Sequence, residues 1–442
     1  MRFLDDSSGA PTVAEALQEL ISGLLGPEPP VRIRCWDGSE LGPPGAEPVI
    51  VVRSPDALRR LVWAPNELGL GRAYVAGDLD LEGDIYDLFA LRDRLGDESA
   101  GEQIHLRLGP SGWWRALRAV AKLGALGPPP PPPREEARLR GRRHDPERDA
   151  AAIAHHYDVG NDFYRLILGP TMTYSCAYWE RPDTTLDEAQ AAKYELVCRK
   201  LGLRPGMRLL DVGCGWGGMV LHAAREHGVE AVGVTLSAEQ ADFAARRVEE
   251  EGLGDRVRIV RTDYRAIEEG TFDAISSIGM FEHVGLSRLA EYFTDLHALL
   301  RPGGRLLNHG ISRPPGRSRF DRRSFIERYV FPDGELHEVG TVVSAMQQQG
   351  FEVRDVESLR EHYARTLRAW VANLEADWDR AQRLVGPARA RIWRLYMAGS
   401  AVNFEAGRTS IHQVLAVRPH PDGRSGMPPT RESFVSLSRP AA

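Results

Sequence analysis

From Met207 onward the apolar positions change period every few residues, and each change marks an element. Met207–Val212 is a short apolar run ending in Gly-x-Gly, which predicts a buried parallel strand. Val220–Glu226 has helical spacing, Ala231–Thr235 reads as a strand, and Ala238–Glu251 as a helix with Ser237 placed to cap it. Val257–Thr262, Ala274–Ile278 and Arg305–Asn308 read as further strands, with a helix over Leu289–Leu300. Phe351–Val356 and Ile411–Val417 complete the set. Strands alternating with helices predict an α/β chain with a parallel, doubly wound, Rossmann-like sheet. Between the last two strands, 363–406 reads as two helices carrying Trp370, Trp378, Trp393, Tyr396 and Phe404. A simple closing hairpin needs only a few residues. The insert is therefore expected to wall a long apolar pocket over the sheet, the plainer alternative being a helical pair that packs on itself.

Upstream the pattern breaks at Pro128–Pro133, six consecutive prolines that predict a stiff polyproline segment, followed by arginines 134, 138, 140, 142, 143 and 148. This divides the chain into a smaller N-terminal α+β domain (1–126), a Pro/Arg-rich linker (127–148) and a larger domain (149–419). A Pro/Ser/Arg-rich tail (420–442) is expected to be disordered.

Composition changes little in this picture. The 442 residues are 42% hydrophobic and 27% charged, the balance of a globular protein long enough for two domains. The net charge of −6 gives no global field toward nucleic acid or anionic lipid, so no nucleic-acid partner is expected. Four cysteines stand at no metal-ligand or disulfide spacing along the chain, so no metal is expected and a reducing compartment is. Met1–Ala10 lacks the basic and apolar regions of a secretory signal, and no apolar run approaches about twenty residues. The expectation is a cytoplasmic protein that meets the inner face of a membrane peripherally.

The chemistry begins at Leu209-Leu-Asp-Val-Gly-Cys-Gly-Trp-Gly-Gly218, a strand ending in a glycine turn that opens a helix. Such a turn lets backbone approach a ligand closely, although glycines alone could serve packing. Two details favour S-adenosylmethionine over a dinucleotide. Asp211 stands where it can meet a cationic amino group, and Gly213-Cys-Gly215 is tighter than G-x-G-x-x-G. The second strand ends without an acidic residue, which leaves Thr235 and Gln240 for the ribose, and Asp263-Tyr264 suits the adenine.

Five further blocks carry a resemblance. His156-Tyr-Asp-Val-Gly-Asn-Asp162, Tyr174-Ser-Cys-Ala-Tyr-Trp179, Gly279-Met-Phe-Glu-His-Val-Gly285, Tyr329-Val-Phe-Pro-Asp-Gly334 and His362-Tyr-Ala-Arg-Thr-Leu367, with the glycine turn, resemble the motifs of cyclopropane-fatty-acyl-phospholipid synthases. The likeness covers about 155–418, and Gly69–Gly77 is similar to a segment of that family's N-terminal domain. It implies methyl transfer to the cis double bond of an unsaturated acyl chain on a membrane phospholipid. The resulting carbocation loses a proton from the new methyl group to a bound bicarbonate and closes a cyclopropane ring. Bicarbonate ligands carry over to Cys176, Glu282, His309, Ile311 (backbone) and Tyr363. Cofactor contacts carry over to Tyr174, Gly213, Gly215, Thr235, Gln240, Tyr264 and Gly279. Self-association as a homodimer stays open.

Each of these residues also has a plain reading. Cys176 fits a small buried hydrophobe, Glu282 a helix-start acid, His309 a satisfied structural group, and Tyr363 core packing. The aromatics Tyr174, Tyr178, Trp179 and Phe281 fill space or stabilise a cation. Asn308 and Gly310 flank His309 where the family more often has Leu-His-Thr, so a methyl- or methylene-branched product remains open beside the ring. A small-molecule N- or O-methyltransferase is the other-class alternative, and a non-catalytic lipid binder the weakest. Arginines 313, 317, 319, 322, 323 and 328 could grip phospholipid headgroups, and Trp113–Lys122 could lie on a membrane surface; a solvated loop and an interdomain helix are the plain alternatives.

Overall fold

The protein is described by a computed structural model at residues 12–25, 31–95, 114, 118, 120–137, 159–267, 270–315, 324–332 and 334–435. His156–Asp158, Arg317, Arg319, Arg322, Arg323, half of Trp113–Lys122 and arginines 138, 140, 142, 143 and 148 lie outside these residues. The chain forms two compact units. The first takes 1–136 with two later segments, 323–329 and 386–399, and the second takes the rest.

In the N-terminal unit a small sheet has the order β2-β1-β3-β4 (Glu40–Leu41, Arg32–Arg34, Val49–Val52, Leu79–Glu82), with β1 and β3 parallel and the other pairs antiparallel. Leu17, Ile33, Val52, Leu58, Ala73 and Val120 pack a common core between this sheet and its helices. Helix Pro55–Trp63 starts cleanly because Ser54 accepts from the Asp56 N–H and a proline fills the first turn. The proline run lies along this unit. Arg60 donates to the Pro131 carbonyl at 2.9 Å, and the Trp63 indole donates to the Gly127 carbonyl at 3.0 Å.

The second unit is built on a seven-stranded sheet of order β10-β11-β9-β8-β5-β6-β7. Its strands are β5 (Arg208–Val212), β6 (Glu230–Thr235), β7 (Val257–Arg261), β8 (Phe272–Ile278), β9 (Leu300–Ser312), β10 (Glu352–Ser358) and β11 (Ser410–Val417). Strands β5 to β9 pair in parallel, as the alternating pattern predicts. The wholly parallel expectation fails at β11, which runs antiparallel to both β9 and β10. The long helical insert before β11 returns the chain to the sheet in the opposite direction. Both faces are apolar. Leu209, Ala231, Ala274, Leu307 and Leu415 face helices Leu186–Leu201 and Gly218–His227. Leu210, Val232, Ile275, Leu306 and Val414 face helices Leu289–Leu299 and Val339–Gln348. The insert is three helices rather than two: Arg360–Ala376, Trp378–Val385 and Pro387–Glu405. Gly386 at φ +83° lets the chain turn between the last two.

Candidate active site

The loops after β5, β6, β7 and β8 meet at the carboxyl edge of the sheet, where open α/β sheets bind ligands. There a cavity is lined by all eight residues read as cofactor contacts: Tyr174, Asp211, Gly213, Gly215, Thr235, Gln240, Tyr264 and Gly279. Gly213, Gly215, Gly217 and Gly279 have φ of +77°, +54°, +83° and +68°, a region closed to most side chains. The Gly213 and Cys214 N–H groups both donate to the Val234 carbonyl at 2.9 Å, locking the turn to β6. Thr235 donates to Gln240 Oε1 at 2.8 Å, so the two residues read as ribose partners form one unit. Asp263 is turned away to Arg265, and Tyr264 alone of that pair lines the cavity.

Asp211 is 2% exposed and accepts from the Ser276 hydroxyl at 2.7 Å. Burial pushes its carboxyl up to about 6, opposed by that hydrogen bond and by the Lys193 charge. Lys193, 1% exposed, was not singled out from sequence. Its Nζ donates to the Ser175 hydroxyl at 3.0 Å and stands 3.8 Å from the centre of the Tyr194 ring. Burial pulls its ammonium down to about 7, although Asp211 favours the charged form. A signal was present: Ala189, Lys193, Val197 and Lys200 fall on one face of helix Leu186–Leu201, and all four are buried. Ser175, Trp216, Met280 and His283 are further cavity residues that the motif reading did not assign to the cofactor.

The segment 174–179 is clamped on helix Arg360–Ala376. Thr366 Oγ1 accepts from the Ala177 N–H at 3.1 Å and from the Trp179 indole at 3.0 Å. His362 Nδ1 accepts from the Trp179 N–H at 2.9 Å, which leaves the proton of a neutral ring on Nε2. The Tyr178 and His362 rings stack at 4.8 Å, and Tyr174 lies 5.2 Å from Trp370. The insert thus positions one edge of the cofactor cavity.

The five residues carried over as bicarbonate ligands form a linked set. The Leu359 carbonyl accepts from the Tyr363 N–H at 3.0 Å and lies 3.7 Å from Cys176 Sγ. The Leu359 N–H donates to the Ile411 carbonyl, Ile411 pairs with Ile311 across β11 and β9, and the Ile311 N–H donates to Glu282 Oε1 at 2.7 Å. His309 stands two residues up β9 and receives the Gln413 amide at Nδ1 at 3.1 Å. Cys176 is fully buried, and burial pushes its thiol far above the usual range, so it is a neutral group here. Burial also keeps His309 neutral and raises the Glu282 carboxyl to about 7. Among the described residues Glu282 Oε2 and His309 Nε2 are buried with no hydrogen-bond partner. Buried polar atoms of this kind call for a partner. Lys193 ties the two sets together, its charge acting on Asp211, Cys176 and His309 alike.

The departures at 308 and 310 lie on the other face of β9 from His309, because strand side chains alternate. A Cβ at Gly310 would stand 1.8 Å from the Phe281 ring, which is 2% exposed. The glycine makes room for that ring and leaves His309 undisturbed.

The mycolic acid cyclopropane synthetase family profile matches residues 144–414. A probable fatty acid methyltransferase of Mycobacterium tuberculosis is 44% identical over 410 residues, 90% of this chain and 93% of that one. A probable fatty acid methyltransferase of Pseudomonas putida is 42% identical over 92% of this chain and 96% of its own. Among solved structures, mycolic acid cyclopropane synthase CmaA1 complexed with SAH and CTAB superposes with a TM-score of 0.57 at 37% identity. That match covers 60% of this chain and 97% of the other.

Proposed function

The chain belongs to the mycolic acid cyclopropane synthetase family, a set of S-adenosylmethionine-dependent methyltransferases, and from that premise we propose that it modifies the acyl chain of a membrane phospholipid. The reaction is methyl transfer to a cis double bond followed by closure of a cyclopropane ring. The observation that carries this reading is the burial of Cys176, Glu282, His309 and Tyr363, with Glu282 Oε2 and His309 Nε2 unpartnered among the described residues. A methyltransferase for amines or hydroxyls needs only a base facing a heteroatom, whereas an alkene leaves a cation that must lose a proton in a dry place.

S-adenosylmethionine supplies an electrophilic methyl group when bound, and Asp211, Thr235, Gln240, Tyr264 and the glycine turn would hold it. The orphaned Glu282 Oε2 and His309 Nε2 fit a small oxyanion that both donates and accepts, as bicarbonate does. Bicarbonate held by Cys176, Glu282, His309, Ile311 and Tyr363 would supply the base, with Ile311 acting through Glu282, which already takes its N–H. A carboxyl raised to about 7 can hold a proton at neutral pH, which relieves repulsion between Glu282 and an anion beside it. Tyr174, which lines the cavity, offers a ring for positive charge, whereas Tyr178 stacks on His362 and Trp179 carries Arg365 over its face.

Among the described residues no helix is long and apolar enough to cross a membrane, so access to lipid is assigned to peripheral contact at the inner face. The N-terminal unit is assigned an accessory role in that contact. Supporting this, the two fatty acid methyltransferases match about nine-tenths of the chain, whereas the mycolic acid synthase match covers 60%. The same two relatives favour one second reading, a methyl- or methylene-branched product from the same cation. Incubation with labelled S-adenosylmethionine and monounsaturated phospholipid vesicles, followed by mass spectrometry of the acyl chains, separates the outcomes. A gain of one CH2 without an alkene is the expected result. The same gain with an alkene retained gives the branched reading, and no label in lipid sinks both.

A further inference from the structure

We propose that the protein carries a structural zinc site, outside the catalytic motifs, formed by Cys198, His222 and His227 with Glu195 in the fourth position. Helix Leu186–Leu201 supplies Glu195 and Cys198, which share a face at a spacing of three residues. Helix Gly218–His227 supplies both histidines from its last two turns. The donor atoms Cys198 Sγ, His222 and His227 ring nitrogens all lie within 4.8 Å of one another.

Glu195 already bridges the two histidines. His227 Nε2 lies 3.0 Å and His222 Nε2 3.4 Å from the same oxygen, Glu195 Oε2. Zinc–nitrogen and zinc–oxygen bonds of about 2.0 Å at tetrahedral angles put neighbouring ligand atoms about 3.3 Å apart. In the metal-free protein that single oxygen accepts two imidazole protons, and the other carboxylate oxygen stands 3.4 Å from Arg199 Nε. A divalent cation would replace the converging protons, with the Glu195 side chain turning toward the other three donors.

Chemistry selects the metal. One thiolate, one carboxylate and two imidazoles balance a 2+ charge, and a sulfur with two nitrogens suits zinc over magnesium or calcium. Cys198 is fully buried, His222 is 8% exposed and Glu195 is half-buried, so the site is closed on the protein side and reached from the carboxylate side. Cys198 also packs in the apolar cluster under the sheet, the plain alternative for its role.

The site would act on the cofactor cavity through the helices it joins. Lys193 and Tyr194 lie immediately before Glu195, and Gly218 and Met219 begin the helix that ends in the two histidines; all four line the cavity. A zinc ion would therefore clamp the two helices behind the glycine turn. Dispersed cysteines gave no sign of this along the chain, because the ligands converge only after the helices pack.

The test uses the full-length protein stripped with chelator, then equilibrated with zinc chloride or cobalt chloride alone. The expected result is one zinc per chain after gel filtration, a higher thermal midpoint, and with cobalt a thiolate charge-transfer band in the near ultraviolet. Cys198→Ser should remove that band, and His227→Asn, at a partly exposed position, should weaken zinc binding at least tenfold with the fold intact by circular dichroism. Less than 0.1 zinc per chain, or a cobalt spectrum without the thiolate band in the wild-type protein, overturns the proposal. S-adenosylhomocysteine binding by the stripped protein is measured in parallel, so loss of the cofactor site is told apart from loss of the metal site.

Discussion

Glu282 is held where its charge is unfavourable, and this gives the residue a pH signature separate from its chemistry. Burial raises its carboxyl from an ordinary 4.5 to about 7, against the opposing hydrogen bond from Ile311. Between these values the folded protein keeps a proton that the unfolded chain has released. Its contribution to stability is therefore fully present below about 4.5 and is lost as pH rises through 7. Glu282→Gln removes this dependence, so its stability relative to wild type should rise by about 3 kcal/mol between pH 4.5 and pH 8. Urea melts of both proteins at the two values measure the difference, and a gap independent of pH would show that the carboxyl is not buried as described. The same substitution should abolish turnover and leave S-adenosylhomocysteine affinity within a few-fold. Asp211→Ala should instead abolish binding in calorimetry, since it removes the acidic group that lines the cavity. Asp211 was legible from its place before the glycine turn. Lys193 was missed because a lysine is ordinarily read as a surface residue, and only its position on a buried helical face shows otherwise.

Whole elements are joined at the site by few atoms. Thr366 is fully buried, donates to the His362 carbonyl at 2.7 Å and accepts two N–H groups from the 174–179 segment. Thr366→Val keeps the shape but leaves the Ala177 N–H without its acceptor, while the Trp179 indole keeps the His362 carbonyl at 3.1 Å. The expected loss is about 1–3 kcal/mol, for one buried unsatisfied donor. Because Tyr174 lies in the cofactor cavity, affinity for S-adenosylhomocysteine should fall together with stability. Stability loss with unchanged affinity would mean that the helix supports the fold alone. Gly310→Thr, which restores the commoner family residue, should destabilise the chain through the Phe281 ring, and Phe281→Ala in the same chain should recover part of the loss. The strands were legible because their apolar runs are short and bounded by turns. The direction of β11 was not, since an antiparallel and a parallel buried strand have the same apolar composition, and only the path of the insert decides between them.

At the scale of the whole molecule, the proline run shows what a sequence boundary can and cannot convey. Six prolines fix a stiff segment, but their stiffness does not say what the segment lies against. In the N-terminal unit Arg60, 9% exposed, donates to Asp78 at 2.9 Å and to the Pro131 carbonyl at 2.9 Å. Arg72 and Tyr329 meet Glu136 just beyond the run, and Arg391 reaches Asp80 from a segment more than three hundred positions later in the chain. Glu136 is 7% exposed and is held by charge-assisted bonds, so the chain leaves the prolines anchored at both ends. Sequence reading could not join residues 323–329 and 386–399 to this unit, because the partners are single arginines and aromatics without a motif. Arg60→Ala removes the donor to Pro131 and leaves Asp78 with the Ser54 hydroxyl. It should therefore cost the N-terminal unit about 2–3 kcal/mol, since a partly buried carboxylate loses its charged partner. The seven-stranded sheet draws nothing from this contact. Limited proteolysis read by mass spectrometry should then show cleavage around residues 123–137 rising at least tenfold, with S-adenosylhomocysteine affinity unchanged. Equal cleavage rates in the two proteins would mean that the prolines hold their course without Arg60.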